Sequence, residues 1–233
     1  MRLARATLRT LPLLCLWLAG CSGLFQSKAK PEQTYYLRAP AARTAVTNSP
    51  AAAPAATATA AIPASVRVIH PVAGPGLDTS RIMLLQADHR MNFFSGSRWP
   101  APTPELVEAL AAETLRASGA WASVGGSGSP FPSDYLLQVY VQRFEADYSE
   151  GAVAPVVHVV LECVVARREG REVLATFTAA GSAAATANRL GEVVMAFEQA
   201  TGVALEALSQ QTEQAARADK PPREIAHDPT EPH

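Results

Sequence analysis

The stretch VVHVVLECVVARREGREVLATFTAA occupies residues 156–180. In its first half, Val157, Val159, Leu161, Cys163 and Val165 fall at alternate positions, the period of a strand with one face in a core. Glu169-Gly170 interrupts the alternation as a hairpin turn, and the chain returns from about residue 172 to residue 180 as an antiparallel partner. Immediately upstream, residues 135–144 read as a third strand, with Leu137, Val139 and Val141 facing one way. Leu136, Tyr140 and Phe144 alternate out of that set and would line the other face. Downstream the period changes. Leu190, Val193, Val194, Phe197, Thr201, Ala204, Leu205 and Leu208 recur at helical spacing, with Glu192, Gln199, Glu206 and Gln210 opposite them.

A second helix precedes these strands. Thr103 offers an N-cap, Pro104 suits the first helical position, and Glu105 complements the positive end of the dipole. Leu106, Leu110, Thr114 and Leu115 form its apolar stripe, and Gly119 ends it. Short strands at 66–69 and 81–85, joined by a Gly74-Pro75-Gly76 turn, come before it. Strands, helix, three antiparallel strands and helix define an α+β layer: a small, mainly antiparallel sheet with two helices packed on one face, over residues 65–215. The face carrying Leu136, Tyr140 and Phe144 is then either partly buried or a surface that meets another subunit or protein.

Outside that domain the composition changes. Residues 21–64 read as a polar tether and a flexible Ala/Pro/Thr-rich insert, with a short β-prone run near 34–38. The insert lacks apolar periodicity and cannot bury enough surface to offset its ordering entropy. Residues 216–233, rich in proline, read as a disordered tail.

Residues 1–20 read as a signal peptide. Arg2, Arg5 and Arg9 precede a nine-residue apolar run from Leu11 to Ala19, where a spanning helix needs ~20 residues. Leu18-Ala19-Gly20-Cys21 has the form of a bacterial lipobox, cleaved between Gly20 and Cys21. The Cys21 thiol is the nucleophile that takes a diacylglycerol, and several acyl chains on one residue anchor far more firmly than one. By likeness to enterobacterial sorting, Ser22 points to the outer membrane, with the domain on its periplasmic side. Of the three cysteines, Cys15 leaves with the signal and Cys21 carries lipid, so Cys163 has no internal disulfide partner. The 20 basic residues include three within 1–20 while all 21 acidic ones lie beyond, so cleavage moves the net charge from −1 to −4. That balance argues against nucleic acid as a partner.

No catalytic or metal-binding pattern is legible, and no cofactor is implied. Gly125-Gly126-Ser127-Gly128-Ser129 lacks the last glycine of a nucleophile elbow and the lysine of a phosphate loop, and reads as loop. His158 and Glu162 share a strand face but stand ~13 Å apart at ~3.3 Å per residue, too far to hold one metal. Cys163, among β-branched neighbours, reads as core. Asp78 and Arg81 are placed for a local ion pair.

Thr34-Tyr35-Tyr36-Leu37, Val66-Arg67-Val68-Ile69-His70-Pro71-Val72, Pro75, Leu77-Asp78, Arg81-Ile82 and Trp99 together resemble the ABC-type transport auxiliary lipoproteins (the PqiC-like group) over about residues 34–210. Gly76 stands where that group has a Tyr, and Thr79 where it has an Arg. The resemblance implies a non-catalytic accessory of lipid transport, working with an ABC permease, its ATPase and an MCE-domain protein, with a ring of subunits as a possible homo-oligomer. Two other readings stay open: an outer-membrane assembly or envelope-linking lipoprotein, and a periplasmic enzyme whose cleft would gather His158, Glu162 and Asp134.

Overall fold

A computed structural model describes residues 32–40, 61–149 and 151–219. The signal peptide, Cys21, most of the Ala/Pro/Thr insert and the tail beyond 219 lie outside the described residues. The strands are β1 (Gln33–Thr34), β2 (Ile62–Val68), β3 (Val72–Ala73), β4 (Arg81–Leu85), β5 (Met91–Arg98), β6 (Trp121–Gly125), β7 (Tyr135–Asp147), β8 (Val156–Arg167) and β9 (Val173–Ala184). The helices are α1 (Thr103–Ala117) and α2 (Leu190–Ala218).

β7 organises the sheet. Along one edge it pairs antiparallel with β8 over its whole length, and β8 pairs antiparallel with β9. Along its other edge it pairs in turn with β2, β3 and β4, all parallel. β6 extends the sheet beyond β2, and β5 and β1 extend it beyond β4. The result is the expected α+β class, a mixed and mostly antiparallel sheet with both helices packed against it. Leu137, Val139 and Val141 in β7 and the five alternate residues of β8 are all buried, as the period of two requires.

The α2 stripe is buried as its spacing predicts, except that Leu190 is only partly covered. The helix also runs through Ala216, which is buried, to Ala218, so residues 216–218 are helical where the sequence reading expects a tail. Asp219 caps the run by pairing with Arg167. Tertiary contact thus holds a last turn that composition alone left without support.

Other boundaries shift for local reasons. Pro102, not Thr103, is the cap of α1, and it makes no side-chain bond. Thr103 instead donates both its N–H and its hydroxyl to Thr79 O, at 3.1 and 3.2 Å, tying the helix start to the loop before β4. β2 begins at Ile62, inside the expected insert. Ile62 N–H donates to Ala120 O at 2.7 Å, and Pro63, with no N–H to give, falls at the register shift between Ile62 and Ser65. The β-prone run near 34–38 forms a ladder only over Gln33–Thr34, while Leu37 is buried. β5 and β6 were not anticipated. Ser95-Gly96-Ser97 within β5 looks like a turn, and Gly96 takes a positive φ of 66° there.

Candidate functional site

The three long strands give the sheet two unlike faces. One is sealed by α1 and α2. On the other, β7 presents Leu136, Gln138 and Tyr140, and β8 presents Val160, Glu162 and Val164. Leu136, Tyr140, Val160 and Val164 are each partly exposed, and Gln138 and Glu162 are exposed. The cross-strand pairs are Leu136 with Ala166, Gln138 with Val164 and Tyr140 with Glu162. Val72 in β3 pairs with Tyr140 and is 54% exposed, which extends the apolar strip along the parallel edge. The Tyr140 hydroxyl lies over Gly74, where an added β-carbon would sit 3.3 Å from it.

Phe144 does not belong to this face, contrary to the alternation read from the sequence. The register of β7 shifts between Val141 and Arg143, so Gln142 is an extra residue and every side chain after it changes sides. Phe144 consequently points into the core, 2% exposed. Its ring lies 5.2 Å from Phe197 of α2 and edge-on to Trp99 at 6.1 Å, and Trp99 itself meets Phe197 edge-on at 5.2 Å. Burying such a ring stabilises by about 1.5–3 kcal/mol.

The same shift puts Arg143, Glu145 and Asp147 on the open face. Arg143 donates to Glu145 at 2.6 Å and to Asp147 at 3.0 Å, and the second oxygen of Glu145 accepts the Phe144 N–H at 2.8 Å. Burial works against ionisation of Asp147. The Ser149 hydrogen bonds and Arg143 outweigh it and hold the carboxyl below its usual range. The open face therefore has a largely apolar half around Leu136 and Tyr140 and a charged half in which Arg143 bridges two carboxylates. The exposed Glu162 lies opposite Tyr140 within the first half.

Residues at the other end of the molecule fasten structure. Arg167 donates to both oxygens of Asp219, and Tyr135 OH donates to Asp219 at 3.0 Å. Arg167 holds the Asp219 carboxyl below its ordinary range. Ser65 does the same for Asp134, through a backbone and a hydroxyl donor both at 2.7 Å. Glu108 in α1 accepts Ser127 N–H at 2.7 Å and lies 3.1 Å from His70 Nδ1, which ties the Gly-rich loop to the helix.

The remaining sequence candidates are dispersed. His158 pairs with Glu145 and with Ser182, while Asp134 serves Ser65, so no cleft gathers them with Glu162. Among the described residues no group of His, Cys, Asp and Glu is arranged to hold a metal ion. Cys163 is fully buried, and burial pushes its thiol up to about 12. The Arg81 guanidinium lies 3.8 Å over the Phe93 ring rather than on Asp78.

The protein is an α+β layer with both helices on one side and a partly exposed, largely apolar strip on the other. The chain belongs to the ABC-type transport auxiliary lipoprotein component family, whose sequence profile matches residues 47–216. It is an auxiliary lipoprotein of ABC-type transport, anchored in the cell envelope, in a family that is typically non-catalytic. Solved structures that share its fold include two with TM-scores above 0.5. Protein XCC0632 from Xanthomonas campestris has a TM-score of 0.64 at 21% identity, over 80% of this chain and 95% of that one. An uncharacterized protein has a TM-score of 0.53 at 14% identity, over 81% and 98%. No curated protein matches the sequence.

Proposed function

We propose that this lipoprotein docks a lipid-transport conduit at the outer membrane. Cys21 carries the acyl chains after cleavage behind Gly20, and the 21–64 segment tethers the domain to the periplasmic face. An MCE-domain protein, working with an ABC permease and its ATPase, meets the open sheet face through Leu136 and Tyr140. The family membership carries the transport reading. The face assignment rests on a partly exposed apolar strip on a rigid sheet that neither helix covers. A flexible tether spans ~5–6 Å × √n, so a few tens of residues let the domain reach away from the bilayer. The protein binds and positions; the permease system does the work.

The test is detergent extraction of native envelopes, pull-down of the lipidated protein, and mass spectrometry of what accompanies it. An MCE-type protein should co-purify with wild type and be depleted at least tenfold with Leu136→Glu/Tyr140→Glu. Cys21→Ala should lose outer-membrane fractionation. Full recovery of the MCE-type protein with the double variant overturns the face assignment. Recovery of a β-barrel or peptidoglycan in its place favours an envelope-linking role.

A further inference from the structure

Glu162 is a carboxylate without a counterion, set within the apolar half of the open face. It stands near the middle of β8, opposite Tyr140 in β7 and Thr178 in β9. Val160 and Val164 flank it two residues away along its own strand. Tyr140 gives it no hydrogen bond, because the phenol reaches across to β3 and places its hydroxyl over Gly74. Among the described residues Glu162 makes no hydrogen bond or ion pair. The cations on this face are engaged elsewhere. Arg143, opposite Val160, holds Glu145 and Asp147, and Arg67, opposite Leu136, donates to Phe131 O.

A glutamate on an open surface is ordinarily solvated and needs no partner. Glu162 differs in what surrounds it. Its four neighbours on the face are uncharged, and Tyr140, Val160 and Val164 are side chains that a docked partner covers. A carboxylate taken out of water with them and left unpaired weakens the contact strongly. Paired with an ammonium or guanidinium, it instead fixes where the partner sits. The sign of the surroundings agrees. Over β7, β8 and β9 the open face carries the carboxylates of Glu145, Asp147 and Glu162 against the single guanidinium of Arg143.

We propose that the partner segment covering this face brings a lysine or arginine to Glu162, among apolar side chains that pack on Leu136, Tyr140 and Val164. The inference rests on the docking face argued above and adds the chemistry of what docks there. An acidic segment meets three carboxylates and is repelled. A wholly apolar one strands Glu162 in a dry contact. An amphipathic, basic segment satisfies both the strip and the charge, and Glu162 sets its register.

The experiment repeats the detergent pull-down of the full-length lipidated protein with Glu162→Gln, Glu162→Lys and, on the β8–β9 turn, Glu169→Lys. Recovery of the MCE-type protein should fall about tenfold with Glu162→Gln and further with Glu162→Lys. Glu169→Lys should match wild type, and all three variants should keep the wild-type melting temperature. Full recovery with both Glu162 variants, while Leu136→Glu/Tyr140→Glu still depletes the partner, overturns the cation and leaves the docking face standing. Full recovery with that double variant removes the docking face itself. A second measurement needs no native partner. A fluorescent peptide of alternating leucine and lysine, titrated against the detergent-extracted protein, should bind Glu162→Gln about tenfold more weakly than wild type. The matching leucine and glutamate peptide should not bind. Equal binding of the basic peptide by the two proteins, or none by wild type, refutes the proposal.

Discussion

Gly181 in β9 and Ala200 in α2 touch backbone to backbone. A β-carbon at position 181 would fall inside the contact shell of the Ala200 carbonyl oxygen and 3.0 Å from Ala204 N. Helix and strand approach this closely because both surfaces are small: Ala179, Gly181, Ala183 and Ala185 below, Ala196, Ala200 and Ala204 above, all buried. The close approach brings α2 down onto the edge of the sheet and lets Phe197 reach the Trp99 and Phe144 rings.

Gly181→Val should therefore lift α2 off β9. Overpacking of this kind costs about 3 kcal/mol, read as a lowered midpoint in urea unfolding. Gly202→Ala, on the same helix with open space around it, should instead stabilise by about 0.5–1 kcal/mol. Equal and small effects at both positions would refute the close-packing account.

Phe144→Ala removes a buried ring and should cost about 3–5 kcal/mol, whereas Leu136→Ala on the open face should cost on the order of 1 kcal/mol. Equilibrium unfolding of the two variants distinguishes them. A costly Leu136 and a cheap Phe144 would place the register shift elsewhere in β7.

Asp219 links α2 to Arg167 and Tyr135, and its carboxyl is held below the ordinary range. The folded state thus binds a proton less readily than the unfolded chain. The linkage stabilises fully above the unfolded carboxylate value of ~3.9 and is lost as pH falls through the lower folded value. Asp219→Asn should lower the unfolding midpoint at pH 7 and differ little from wild type at pH 2. A larger deficit at pH 2 than at pH 7 would contradict the pairing.

Cys163, its thiol pushed up to about 12 by burial, should be nearly inert in the native protein. Its reaction with a chromogenic thiol reagent at pH 8 should be slow and should accelerate with urea across the unfolding transition. Rapid modification without denaturant would show that the β8 core face opens.

The β7–β8–β9 sheet, the α2 stripe and the burial of Cys163 were legible because each rests on a local period that one buried face imposes. The placement of Phe144 was not. A single extra residue at Gln142 inverts the alternation after it, and nothing at that position distinguishes a bulge from continued strand. β5 is masked in the sequence by Ser95-Gly96-Ser97, which has the composition of a turn, and β6 is a short strand whose parallel partner β2 lies far away in the chain.

By itself the sequence determined the α+β class, the core positions of the long strands and the resemblance to a lipoprotein family. Periodicity and local chemistry are written along the chain. Only the tertiary structure decided which face of β7 stays open, which strand is left at the edge, and that α2 continues to Ala218. Each of those depends on contacts between residues far apart in the chain: β7 with β8, Gly181 with Ala200, and Arg167 with Asp219.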